Sequence, residues 1–235
     1  YGVWKKSGTR FGLSMKKIAC GIVQLLLVLA LACSPPQVPP PIAEDSGQSD
    51  STTQPLLTHA VMHTDQGIFI GTKDERFGIM LPPGFPEPGL QRQQEEGMTA
   101  TVYMSKKDDK RVALFGWNTY DDMKMNDVSG DYLLQYAVEQ AMKQMEGRVS
   151  EHNLMKMDGW SGSQAWITAG SGDSRSVARY EYWLIPPYLF QIGYMTPDSK
   201  ELEMPEISSF FGSFRFGGAK ASSAKIWPAE IPIIF

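Results

Sequence analysis

The sequence predicts an α+β fold, a mainly antiparallel β-sheet covered by two helices. Three observations lead there. Between residues 64 and 216, short apolar stretches with period-two alternation recur between breaks rich in Gly, Pro and Asp. They follow one another closely enough to pair as hairpins, which favours antiparallel neighbours. Two further segments change to helical spacing. Roughly 150 residues lie in this region, enough for one domain with its own core.

The elements run as follows. GIFIG, residues 67–71, is a short apolar strand, and Lys73-Asp74-Glu75 turns the chain. Phe77, Ile79 and Leu81 alternate until Pro82-Pro83-Gly84 stops them. Ala100, Val102 and Met104 alternate in the next strand, SKKDDK (105–110) is a charged turn, and residues 111–120 return. From Asp131 to Glu146 the period changes. Leu134, Val138, Met142 and Met145, with Leu133, Ala137 and Ala141 alongside, form one apolar face at helical spacing. Ser129 or Asp131 can cap its start, and Gly147 can end it in a left-handed conformation. The methionines of this stretch, with Met155 and Met157, are read as core filler rather than a soft-metal box.

Strands then resume. Residues 153–157 face 164–169 across the turn dipeptide Asp158-Gly159. VARYEYWLI (177–185) is a long strand, Pro186-Pro187 breaks it, and YLFQIGYM (188–195) runs back. PEISSFFGSFRF (205–216) opens with Pro at a first-turn position, and Ile207, Phe210, Phe211 and Phe214 supply its buried side. The expected order is β-β-β-β-α-β-β-β-β-α.

The N-terminal third reads differently. Residues 1–14 precede Met15 and are expected to be translated upstream sequence, outside the fold. Residues 15–33 have Lys16-Lys17, an apolar run and small residues before a break, the parts of a secretory signal. The run falls short of the about 20 apolar residues of a membrane span and ends at Pro35-Pro36. Ala30-Leu31-Ala32-Cys33 resembles a bacterial lipobox, although Ala30 stands where Leu is commonest. The resemblance implies that Cys33 is acylated and becomes the first mature residue. An ordinary signal cut near Ala32 is the alternative. A residue other than Asp after the cysteine, here Ser34, implies delivery to the outer membrane in Gram-negative lipoproteins. Residues 34–63 are then a Pro- and Ser-rich tether. Its first 25 residues would reach roughly 75 Å if extended.

Charge excludes some partners. The chain has 22 basic and 26 acidic residues. Five of the basic ones (Lys5, Lys6, Arg10, Lys16 and Lys17) fall in residues 1–33, which hold no acid. The remainder carries 17 basic against 26 acidic residues, a net charge of −9. That argues against nucleic acid and against electrostatic adhesion to anionic lipid. The only cysteines are Cys20 and Cys33, so no disulfide, cysteine-ligated metal or thiol nucleophile is expected in the domain.

RFGIMLPPGFPEP, the YEYWLIPPYLFQIGY hairpin and the closing FFGSFRF resemble the PsbP-like sandwich fold over roughly residues 66–216. That group includes the photosystem oxygen-evolving subunit PsbP, a eukaryotic Ran-binding factor and many small bacterial lipoproteins. The resemblance implies an accessory or binding role. It carries no catalytic residues over to this chain.

Candidate sites are few. His59 and His63 are four apart, the spacing of two zinc ligands on a helix, but no third ligand is evident and a packing or surface role is preferred. GWSGS (159–163) is not G-x-S-x-G, and GSGDS (170–174) lacks the lysine of a P-loop, so both read as turns. Glu95-Glu96, Asp108-Asp109 and Asp121-Asp122 read as solvated charge. The aromatics Trp117, Trp166, Tyr180, Tyr182, Trp183, Tyr188 and Tyr194 are dense on the expected sheet and could form a binding surface. Residues 217–235 form a tail whose Trp227, Ile231, Ile234 and Phe235 are expected to dock on the domain; a partner's sheet edge is the alternative. The resulting expectation is a non-enzymatic, lipid-anchored accessory or scaffolding module of an envelope protein assembly, without a cofactor. A carrier or sensor of a small apolar or aromatic ligand is second, and a hydrolase third.

Overall fold

Two antiparallel sheets packed face to face dominate this computed structural model, which describes residues 59–72, 77–95, 98–120 and 129–228. The strands are β1 (Ala60–Thr64), β2 (Gly67–Gly71), β3 (Phe77–Met80), β4 (Gly89–Glu95), β5 (Met98–Lys106), β6 (Val112–Tyr120), β7 (Gly147–Met157) and β8 (Trp160–Ala169). They continue with β9 (Ser176–Ile185), β10 (Tyr188–Thr196), β11 (Arg215–Phe216), β12 (Ala219–Lys220) and β13 (Lys225–Pro228). Helix α1 spans Gly130–Gln144, between β6 and β7, and α2 spans Pro205–Gly212, between β10 and β11. The larger sheet has the order β13-β7-β8-β9-β10-β6-β5-β4, and the smaller β1-β2-β3-β11-β12.

Local chemistry explains the best-defined elements. Ser129 is extended and its side chain accepts a bond from the Tyr132 N–H at 3.2 Å, capping α1. Asp158 and Gly159 both have positive φ, 48° and 86°, so β7 turns into β8 through a two-residue loop matched to strand twist. The left-handed residue after α1 is Glu146, at φ 49°, and not Gly147. Gly147 already pairs with Ala169 as the first residue of β7. A Cβ there would stand 2.7 Å from the Thr168 carbonyl oxygen. Glycine is therefore set by strand contact rather than by the helix stop.

Alternation along each central strand sends large side chains to opposite faces. Tyr180, Tyr182, Leu114, Ala165 and Leu189 pack with Leu134, Ala137, Val138 and Ala141 of α1. Trp117, Trp183, Phe115, Phe190 and Ile192 face the other way, onto Ile70, Phe77 and Ile79 of the small sheet and Phe210 and Phe211 of α2. The large sheet is the middle of three layers.

The expected single sheet covered by two helices is therefore corrected. One face is covered by α1, and the other chiefly by a second sheet with the short α2 beside it. Dimensions require this. Eight strands span about 34 Å across, whereas an eight-residue helix is about 12 Å long. The domain also begins and ends outside residues 64–216: β1 starts at Ala60, and β13 adds residues 225–228 to the large sheet.

Candidate functional site

One end of the large sheet carries a cleft of about 510 Å³ on the face shared with α2. Its floor is Trp166 and Thr168 of β8 with Val177 of β9, and Leu202 closes one side. Arg148 of β7 and Arg175, just before β9, both exposed, stand on its walls.

Each part is held by local structure. β7 and β8 shift register between Val149 and Glu151, a bulge that sets Ser150 outside the ladder. The Ser150 hydroxyl donates to the Trp166 carbonyl oxygen at 3.2 Å, tying the bulge to the floor. The β8–β9 connection is a tight loop with Gly170 and Gly172 at φ 69° and 56°. A Cβ on Gly170 would meet the Ser174 carbonyl oxygen at 2.4 Å. Leu202 and Ser199 come from the 3₁₀ turn Ser199–Glu203, where the Lys200 N–H donates to the Asp198 carboxylate that caps it. Arg111 anchors that turn through Nε–H to Glu201 Oε2 at 2.8 Å and also pairs with Asp108. These bonds hold the Asp108 and Glu201 carboxyls below the usual carboxylate range; for Asp108 the Lys110 N–H is the largest cause, for Glu201 the Arg111 side chain. Of the carboxylate pairs in the sequence, Asp108 therefore staples a turn.

Beside the cleft, Trp166 lies opposite Arg179 of β9. Arg179 caps the Phe211 ring at 4.1 Å and pairs with Glu181, which is 3% exposed and also accepts from Gln164 Nε2 at 3.1 Å. The Trp166 indole N–H is buried without an acceptor.

The sequence-derived candidates distribute as follows. Trp117, Tyr180, Tyr182, Trp183 and Tyr194 are core residues, at most 4% exposed, so they do not form an open aromatic face. Burial pushes the Tyr194 hydroxyl up to about 12 and raises that of Tyr180 further. Tyr188 is half-buried against Phe190 and Phe216, and Trp166 reaches the cleft. Trp227 lies in β13, its backbone opposite Leu154 of β7. Ile231, Ile234, Phe235 and Cys33 lie outside the described residues.

His59 and His63 are not a helical pair. The segment is extended into β1, which sets them roughly 13 Å apart along the strand. His63 faces Glu87 at 3.4 Å. His59 instead bridges the two sheets. Arg92 donates to its Nε2 at 2.6 Å, and Nδ1 lies 2.5 Å from the Tyr103 hydroxyl. Arginine has no acceptor, so the ring is neutral and carries its proton on Nδ1. Burial first, then Arg92, lowers its pKa.

His152 Nε2 does meet the Ser163 hydroxyl, at 2.7 Å. Ser163 is fully buried in mid-strand, and His152 Nδ1 has no partner among the described residues. The pair lacks the orienting acid and the exposed nucleophile of a triad.

Sequence reading missed Arg148, Arg175, Ser199 and Leu202. The only local signal was two arginines beside turns in an acidic chain.

No protein-family description and no curated protein matches the chain. Among solved structures, the chain is similar to the crystal structure of LpqN, involved in cell envelope biogenesis of Mycobacterium tuberculosis. The TM-score is 0.33 and the identity 13%, over 73% of this chain and 92% of that one.

Proposed function

We propose that the protein is a non-enzymatic accessory carrier or sensor of the bacterial cell envelope. It is held to a membrane by acyl chains on Cys33 and takes a small ligand with an apolar body in the cleft over Trp166. The cleft is the observation that carries this reading. Its volume lies in the usual range for small-molecule sites, and its floor is apolar and aromatic. The large sheet's aromatics are spent on the core, so an aromatic scaffolding platform is less well supported than a cleft. The envelope location rests on the lipobox-like residues around Cys33. Among the described residues no helix is long and apolar enough to cross a membrane.

The test is native mass spectrometry of the protein recovered from its own envelope. A reproducible added mass beyond the lipid on Cys33 is expected, and Thr168→Trp, which fills the cleft from its floor, should remove it. Bare wild-type protein, or a mass that persists in Thr168→Trp, would overturn the carrier reading.

A further inference from the structure

The composition of the cleft walls says more than its volume. The chain beyond residue 33 is acidic, with a net charge of −9. The cleft inverts that sign among the described residues: its lining includes Arg148 and Arg175 and no described carboxylate. Neither arginine forms an ion pair among the described residues, whereas Arg111 and Arg179 both do. Two guanidinium groups with no ion-pair partner among the described residues line the cleft beside Trp166 and Val177. Trp166 adds its aromatic ring to the same lining.

We infer that the cleft binds an acidic amphiphile, a carboxylate or phosphate head on an apolar body. The head is held by Arg148 and Arg175, and the body lies over Trp166, Val177 and Leu202. Arginine suits such heads because its planar fork donates two parallel bonds to one anion. The tight Gly170–Gly172 loop and the anchored Ser199–Glu203 turn hold the walls in place, so little ordering opposes binding. The inference rests on the proposed carrier reading and adds the chemical class of ligand.

Titration calorimetry of the full chain with three probes of one body separates the two ideas: decanoate, decyl phosphate and decanol. At least one anion should bind about tenfold or more tightly than decanol. Arg148→Ala/Arg175→Ala should erase that preference, weakening the anions far more than decanol, while the thermal midpoint stays unchanged. Both arginines are exposed, so the fold should tolerate their loss. Tighter decanoate would assign a carboxylic acid, and tighter decyl phosphate a phosphoric ester; either supports the inference. Equal binding of all three probes would overturn it and leave the carrier reading intact. So would a preference that survives the double substitution. Binding of none would overturn both.

Discussion

At the scale of single residues, two histidines report on the acid side of neutrality. His59 is neutral because Arg92 donates to its Nε2, and protonation would set two cations together. His152 is half-buried beside Ser163, and burial lowers its pKa. Both folded-state values lie below the usual 6.5. Their contribution is therefore complete above about pH 6.5 and is lost as pH falls through that value toward the folded pKa. The thermal midpoint should drop between pH 7 and 5, and His59→Gln/His152→Gln should flatten the drop. An unchanged slope in the double variant would rule this origin out. Arg179 makes a second residue-scale case. Arg179→Met would leave Glu181 buried beside Gln164 alone, at a cost of roughly 3–5 kcal/mol in chemical denaturation. Adding Glu181→Leu should recover most of it, since an apolar pair of similar volume is often neutral in such sites.

At the scale of elements, the decisive strand is the last one. β13 pairs with Asn153–Lys156 and covers part of the β7 edge that would otherwise end the sheet. Ile226, on this strand, is 52% exposed, so the attachment relies on the backbone ladder rather than on that side chain's burial. Deleting residues 225–235 should lower the thermal midpoint by several degrees and speed hydrogen exchange at the β7 amides. Unchanged exchange at Asn153 and Met155 would show that β13 adds nothing to the edge. The central helix and hairpins were legible because their signals are local. The face of α1, its Ser129 cap, the Asp158-Gly159 turn and the β9–β10 hairpin all follow from residues within a few positions of one another. β1, β4 and β11–β13 were not legible. β11 and β12 are two residues each, too short for any period, and GLQRQQE of β4 is a polar edge without alternation.

At the scale of the whole molecule, the two apolar clusters are the two faces of one sheet. Tyr182 and Trp183 are neighbours in β9, yet Tyr182 packs under α1 and Trp183 under α2 and the small sheet. Neither cover can leave without exposing strands that the other needs. The domain should therefore unfold in one transition, with far-ultraviolet circular dichroism and tryptophan fluorescence giving the same midpoint. Separate midpoints would mean that the small sheet is an independent unit.

The sequence by itself determined that the domain is a sheet-rich α+β fold, the positions of its central strands and of α1, and its acidic composition. Periodicity and turn chemistry are written in adjacent residues, and composition needs no fold to be counted. Only the tertiary structure decided which aromatic face is covered, that the second cover is a sheet, and that Arg148, Arg175, Trp166 and Leu202 meet at one cleft. The reason is physical. Burial depends on what crosses over a face, and the cleft joins side chains spread over 55 positions from Arg148 to Ser199 and Leu202. Strand pairing brings these residues together, and no local pattern in the chain encodes it.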